Sequence, residues 1–221
     1  MADEEPVFET TTGPVRVITA ASLFDGHDAA INVMRRLIQS SGAEVIHLGH
    51  DQSAQAVVDC AVQEDAHAIA LTSYQGGHLE YFTYIRQLLD EAGCEHVRIY
   101  GGGGGTITPP EIRTLHQSGI SKIYSPDDGR SMGLMGMIHH LMGMAAEVDL
   151  IGEARLASID GPVTAEDMAK VGLLMTLSES ADDATFKSAI ETARSSDKDV
   201  PVIGFTGTGG AGKSSLLDEL M

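Results

Sequence analysis

Four groups of residues have the types and spacing to do chemistry. Asp25, Gly26 and His27 place a carboxylate two positions before an imidazole. A neutral imidazole is a good ligand for a borderline transition metal, and a carboxylate on its other nitrogen fixes the tautomer and raises its basicity. Ser73, followed by Tyr74, Gln75 and Gly76, offers a hydroxyl to a buried ligand. Gly101, Gly102, Gly103, Gly104 and Gly105 form a run in which a bulky group can lie directly against backbone. Near the other end, Gly207-Thr208-Gly209-Gly210-Ala211-Gly212-Lys213-Ser214 matches G-x-x-x-x-G-K-[ST]. In that pattern backbone amides cradle phosphates, Lys213 reaches the β and γ oxygens and Ser214 holds Mg²⁺.

The elements that position these groups are legible from patterning. Short β-branched runs alternate with helical patterns between Val15 and Leu150, the signature of βαβ units and a parallel sheet. Five strands are expected, at Val15 to Ala21, Glu44 to Leu48, Ala68 to Ser73, Val97 to Gly101 and Lys122 to Tyr124. Helices are expected around Ile31 to Ile38, Ala54 to Val62 and Leu79 to Leu88, after Thr108, and from Arg130 to Ala146. The closure this implies is an α/β fold, a flavodoxin-like (Rossmann-like) doubly wound five-stranded parallel sheet. Ligands bind such sheets beyond the carboxyl ends of the strands, where the first three groups all fall.

Four regions follow. Residues 1–14 read as a solvated tail that includes Asp3 and Glu4, and 15–150 as the ligand-binding domain. Residues 151–199 read as a helical linker with helices near Ala165 to Leu177 and Asp182 to Ser195. Residues 200–221 read as the first strand and phosphate loop of a truncated NTPase domain, the strand running from Pro201 to Phe205. A nucleotide-hydrolysing domain also needs a magnesium-side Asp and a water-positioning element, expected beyond Met221.

Composition excludes several classes. Of 221 residues, 32 are acidic and 14 basic, a formal net charge of -18 that disfavours nucleic acid and anionic membrane surfaces. No apolar run approaches the roughly 20 residues that span a bilayer, and Met1 to Pro6 lack signal-peptide character. Cys60 and Cys94 sit outside any CxxC pattern and read as reduced structural thiols, consistent with the cytoplasm. Met132, Met135, Met137, Met142 and Met144, with Leu134, Ile138 and Leu141, read as flexible core packing on one helix. His139 and His140, being adjacent, point apart and read as exposed. His47 and His50, and His78 beside Ser73, are weaker ligand candidates.

The motif residues resemble the cobalamin-binding domain of adenosylcobalamin-dependent acyl-CoA mutases, with its D-x-H-x-x-G, S-x-L and G-G elements. Asp25, His27, Ser73 and the pair Gly102-Gly103 match; forty-two residues separate Ala30 from Ser73 and 26 separate Gln75 from Gly102. Ala30 stands where the motif has glycine and Gln75 where it has leucine. The run from Thr19 to Asp28, the string from Ser73 to His78 and the phosphate loop behind them are similar to members that carry a G-protein chaperone ahead of the catalytic barrel.

That resemblance implies His27 as lower axial cobalt ligand, Asp25 as its partner, Ser73 on the tail base and the glycine run along the tail's groove, with Gly26, Gln75 and Gly76 nearby. It implies radical interconversion of isobutyryl-CoA and n-butyryl-CoA in a parent, with an acyl-CoA-binding barrel, GTP with Mg²⁺ on the chaperone domain, and a homodimer. This chain alone is expected to bind cofactor without turnover. A receiver domain needs an acceptor Asp where Thr72-Ser73 stands, and a flavodoxin a hydroxyl-rich loop where Asp25-Gly26-His27 stands. A methyltransferase corrinoid carrier and a docking module without cofactor remain as alternatives.

Overall fold

The computed structural model describes residue 6, residues 8–194 and residues 204–220. Asp3 and Glu4 lie outside these, as does most of the strand expected at Pro201 to Phe205; Gly204 and Phe205 are described and are not in a strand.

Seven strands and nine α-helices are present among the described residues. β1 (Glu9–Thr10) and β2 (Gly13–Pro14) form an antiparallel ribbon, where the sequence suggested only a tail. The main sheet comprises β3 (Arg16–Ser22), β4 (Glu44–Gln52), β5 (Ala68–Thr72), β6 (Arg98–Gly102) and β7 (Lys122–Tyr124). All its pairs are parallel, in the order β4-β3-β5-β6-β7. That is the flavodoxin-like order.

Alternation along each strand sends neighbours to opposite faces. Ile18, Ile69, Ile99 and Ile123 join one core cluster, which also holds residues of α2 (Ala54–Gln63), α3 (His78–Glu91) and α4 (Pro109–Gln117). Val17, Ala68, Ala70 and Tyr100 join the other, with α1 (Asp28–Ser40) and α5 (Pro126–Ala146). Helices thus cover both faces, and burying both accounts for near-continuous apolar strands.

Two expectations are corrected. The helix expected from Arg130 begins at Pro126, capped by Ser125 and Asp128, and is broken at Gly133 with φ 67° and ψ 175°. That backbone region is open in practice only to glycine. The break divides the methionine cluster: Ile138, Leu141 and Met142 are buried, whereas Met132, Leu134 and Met135 are 38–40% exposed and do not pack into the core.

Residues 151–194 form α6 (Glu153–Leu156), α7 (Met168–Ser180) and α8 (Asp183–Ala193) around a small core of Ile159, Leu173 and Leu177. This segment packs on the sheet domain. Gly172 of α7 approaches the Val62 carbonyl so closely that a Cβ there would lie 2.7 Å from it. Arg16 donates to Thr176 Oγ1 at 3.1 Å. The final helix is α9 (Lys213–Leu220).

Candidate cofactor site

The carboxyl ends of β3, β5 and β6 converge as the sequence implied. After Ser22 the chain turns sharply through Phe24, whose φ of 64° is unusual for a bulky side chain, and His27 takes the N-cap position of α1. Asp25 is buried. Its Oδ1 accepts from the His27 amide at 3.0 Å and shares a proton with His27 Nδ1 at 2.8 Å. Its Oδ2 accepts from the Tyr74 amide at 2.6 Å. Burial alone would raise the Asp25 carboxyl, but the Tyr74 and His27 amides and the His27 ring outweigh it and hold the group below its usual value.

With Nδ1–H given to this carboxylate, Nε2 is the lone-pair nitrogen, on a side chain 73% exposed. No three His, Cys, Asp or Glu side chains group to hold a bare ion among the described residues. A single well-oriented imidazole suits a metal that brings its own equatorial ligands.

Beside this pair lies a cavity of about 250 Å³ between the sheet and helices α1 and α5. Gly101, Gly102, Gly103 and Gly104 line it, with Tyr74, Thr72 and Tyr100. Two of these glycines are steric necessities. A Cβ on Gly103 would sit 1.9 Å from the Ser73 carbonyl oxygen, and one on Gly101 would sit 2.4 Å from the Phe82 ring on the opposite face. The walls are mostly apolar, yet Thr72 Oγ1 and Tyr100 OH are buried without a partner among the described residues. Burial pushes the Tyr100 phenol up, so it stays a neutral donor. A buried hydroxyl without a partner costs free energy that a ligand with polar atoms recovers. The cavity therefore fits an amphipathic group carrying a few polar atoms.

Ser73, Gln75 and Gly76 are placed differently. They line a second depression with Ser22, Phe24 and Tyr84, and the Ser73 hydroxyl accepts from Ser22 Oγ at 2.8 Å. Gln75 is tied to the Leu23 carbonyl. The period of two explains this: Thr72, one position earlier, lines the glycine cavity, so the adjacent hydroxyl does not. Thr72, Tyr74 and Tyr100 were missed by sequence reasoning; strand parity could have flagged Thr72 and Tyr100. Gly26 bridges Asp25 and His27, its carbonyl accepting from the Asp28 amide at 3.0 Å.

Of the weaker candidates, His47 and His78 are engaged elsewhere, as is His140. His78 is buried, with Nδ1 on the Gln75 carbonyl at 3.2 Å and Nε2 facing Glu111. His47 Nδ1 pairs with Thr19 Oγ1 at 2.9 Å and His140 Nδ1 with Tyr124 OH at 2.9 Å. His50 is exposed and His139 half-buried. Cys60 and Cys94 are free thiols, both pushed up to about 11 by burial, so neither is a reactive thiolate. In residues 207–214, Gly210 and Gly212 have positive φ, and Lys213 Nζ donates to the Gly207 and Thr208 carbonyls at 2.9 Å each. Gly207 and Gly209 precede α9, and Ser214 lies in its first turn.

Residues 15–125 match the family model described as B12 binding domain. The chain belongs to the B12-binding domain family. This B12-binding domain is similar to the fused isobutyryl-CoA mutases of Geobacillus kaustophilus, at 50% identity, and of Cupriavidus metallidurans, at 53%. Each match covers 94% of this chain but 19% of the relative, so the chain spans about a fifth of these proteins' length. It is also 34% identical to the 2-hydroxyisobutanoyl-CoA mutase small subunit of Aquincola tertiaricarbonis, covering 52% of this chain and 82% of that protein. Cobalamin binding, inferred from the Asp25-His27 motif, is thus the family's property. Mutases among these relatives favour that context over a methyltransferase carrier or a cofactor-free docking module. No described helix is long and apolar enough to cross a membrane.

Proposed function

We propose that this chain holds adenosylcobalamin for an acyl-CoA mutase, with His27 Nε2 as lower axial cobalt ligand and the cofactor's tail in the cavity lined by Gly101, Gly102, Gly103 and Gly104. The observation that carries this is the pairing of His27 with buried Asp25 next to a cavity holding two unpartnered hydroxyls. When bound, adenosylcobalamin supplies a cobalt–carbon bond whose homolysis begins radical chemistry.

The chain's own residues bind and orient. Asp25 keeps the proton on Nδ1 and steadies the imidazole, so that Nε2 presents a lone pair. Thr72 and Tyr100 offer hydroxyls to the tail, and the glycine backbones give it close approach. Ser73, Gln75 and Gly76 meet the cofactor from the neighbouring depression rather than from the glycine cavity, and Gly26 joins Asp25 to His27.

On this reading the parent also carries an acyl-CoA-binding barrel acting on isobutyryl-CoA, the substrate named in the fused relatives, or on n-butyryl-CoA, in a homodimer in the cytoplasm. Gly207, Gly209, Gly210, Gly212, Lys213 and Ser214 begin a chaperone domain that takes GTP with Mg²⁺. This chain alone carries cofactor and does not turn over acyl-CoA.

The test is electron paramagnetic resonance of the chain loaded with cob(II)alamin, with histidine carrying ¹⁴N or ¹⁵N. The hyperfine pattern is expected to change with the isotope and to disappear in His27→Ala. A pattern indifferent to the isotope would overturn axial ligation by His27.

A further inference from the structure

We propose that Tyr74 is a positioning residue for His27, and that its ring forms the partition between the imidazole and the glycine-lined cavity. The proposal rests on the cobalamin reading above. Tyr74 is tied to the site in three ways. Its amide donates to Asp25 Oδ2 at 2.6 Å. Its ring lies 5.5 Å from the His27 ring, tilted by 47°. The same ring lines the cavity and packs on backbone at Gly104, where a Cβ would lie 3.4 Å from Tyr74 Cε1.

The physical need follows from exposure. A side chain 73% exposed and held by one carboxylate retains freedom to swing about that hydrogen bond. A tilted aromatic neighbour removes a second degree of freedom, since such pairs attract beyond simple area burial. Gly104, at φ 56°, has no Cβ to crowd the tyrosine ring, whose Cε1 lies 3.4 Å from where one would stand. The Asp25 carboxylate sets the tautomer; the Tyr74 ring sets where the lone pair points. One cofactor can then place its metal against the imidazole and its tail in the cavity, with the phenol ring between them.

The two contributions of Tyr74 separate cleanly. Tyr74→Ala keeps the backbone amide on Asp25 and deletes only the ring. Tyr74→Phe keeps the ring. In the cofactor-free chain, NMR of the His27 side chain is expected to show one rotamer in the wild type and Tyr74→Phe, and averaging in Tyr74→Ala, with the Nδ1–H tautomer retained in all three.

With cob(II)alamin, Tyr74→Ala is expected to bind roughly three- to tenfold more weakly and to show a reduced share of histidine-nitrogen hyperfine signal. Tyr74→Phe is expected to restore both. An ordered His27 in cofactor-free Tyr74→Ala, or affinity and hyperfine signal equal to wild type, would overturn the positioning role. Absence of the nitrogen signal in the wild type itself identifies failure of the axial-ligand reading instead and removes this proposal with it.

Discussion

The guanidinium of Arg155 donates to the carboxylate of Asp65, ninety positions earlier in the chain. The pair is nearly buried, and Arg155 also meets His96 Nδ1 at 3.1 Å. Asp65 closes the turn after α2 with φ 45°, and its second oxygen has no partner among the described residues. Removing Arg155 leaves a buried carboxylate without compensation, which typically costs about 3–5 kcal/mol. Arg155→Ala is therefore expected to lower the thermal midpoint clearly and to release residues 151–194 from the sheet domain. Circular dichroism melting and amide exchange over that segment measure both.

His67 and His96 flank the same region. Burial, followed by the charges of Arg16 and Arg155, lowers His67 to about 4; burial and Arg155 lower His96 to about 3. His67 Nδ1 must be unprotonated, because it accepts from the Arg16 amide at 3.0 Å. Between the ordinary value of 6.5 and these lowered values, the unfolded chain binds protons that the native chain refuses. Stability is therefore full above pH 6.5 and falls as pH drops toward 4. His67→Asn, which retains an acceptor, is expected to flatten that decline, read from urea midpoints at matched pH values.

The sheet and the convergence of Asp25, His27 and the glycine run were readable because β-branched runs and turn residues carry local signals. What the sequence concealed depends on distance or on competing patterns. The β1–β2 ribbon has strands of two residues, too short for any period. The segment 151–194 reads as a polar linker, and its attachment depends on Arg155 and Gly172 meeting residues far away in the chain. The apolar spacing of Met132 to Met142 suggests an unbroken helix, while the break depends on one glycine. Tyr74 sits between two motif residues and shows its role only once its ring is placed against His27.

The glycine run offers a comparison between neighbours. A Cβ at Gly103 would collide with the Ser73 carbonyl oxygen at 1.9 Å, whereas one at Gly105 meets nothing within 4 Å. Gly103→Ala must displace the backbone joining β5 to the loop after β6. A loss of at least the roughly 1–3 kcal/mol typical of overpacking is expected, together with loss of cobalamin binding. Gly105→Ala is expected to remain within about 0.5 kcal/mol of wild type, as surface changes usually do. Chemical denaturation and absorbance titration with cobalamin distinguish them, and equal effects at both positions would contradict the close-approach argument.

Asp25 provides a test of the site that needs no cofactor. Its carboxyl is held below the ordinary 3.8 because the Tyr74 and His27 amides and the His27 ring outweigh the cost of burial. The ionised group thus stabilises the fold fully above pH 3.8, and this contribution fades as pH falls through the lower native value. Asp25→Asn keeps the shape but cannot accept at both oxygens, so one of the two loops loses its tie. The variant is expected to be less stable than wild type at pH 7, with the gap narrowing on acidification below pH 3.8. The same variant removes the carboxylate that keeps the proton on His27 Nδ1, so the imidazole is expected to divide between both tautomers. Nitrogen NMR of His27 in the cofactor-free chain reads that change, and a tautomer balance equal to wild type would show that Asp25 does not orient the ring.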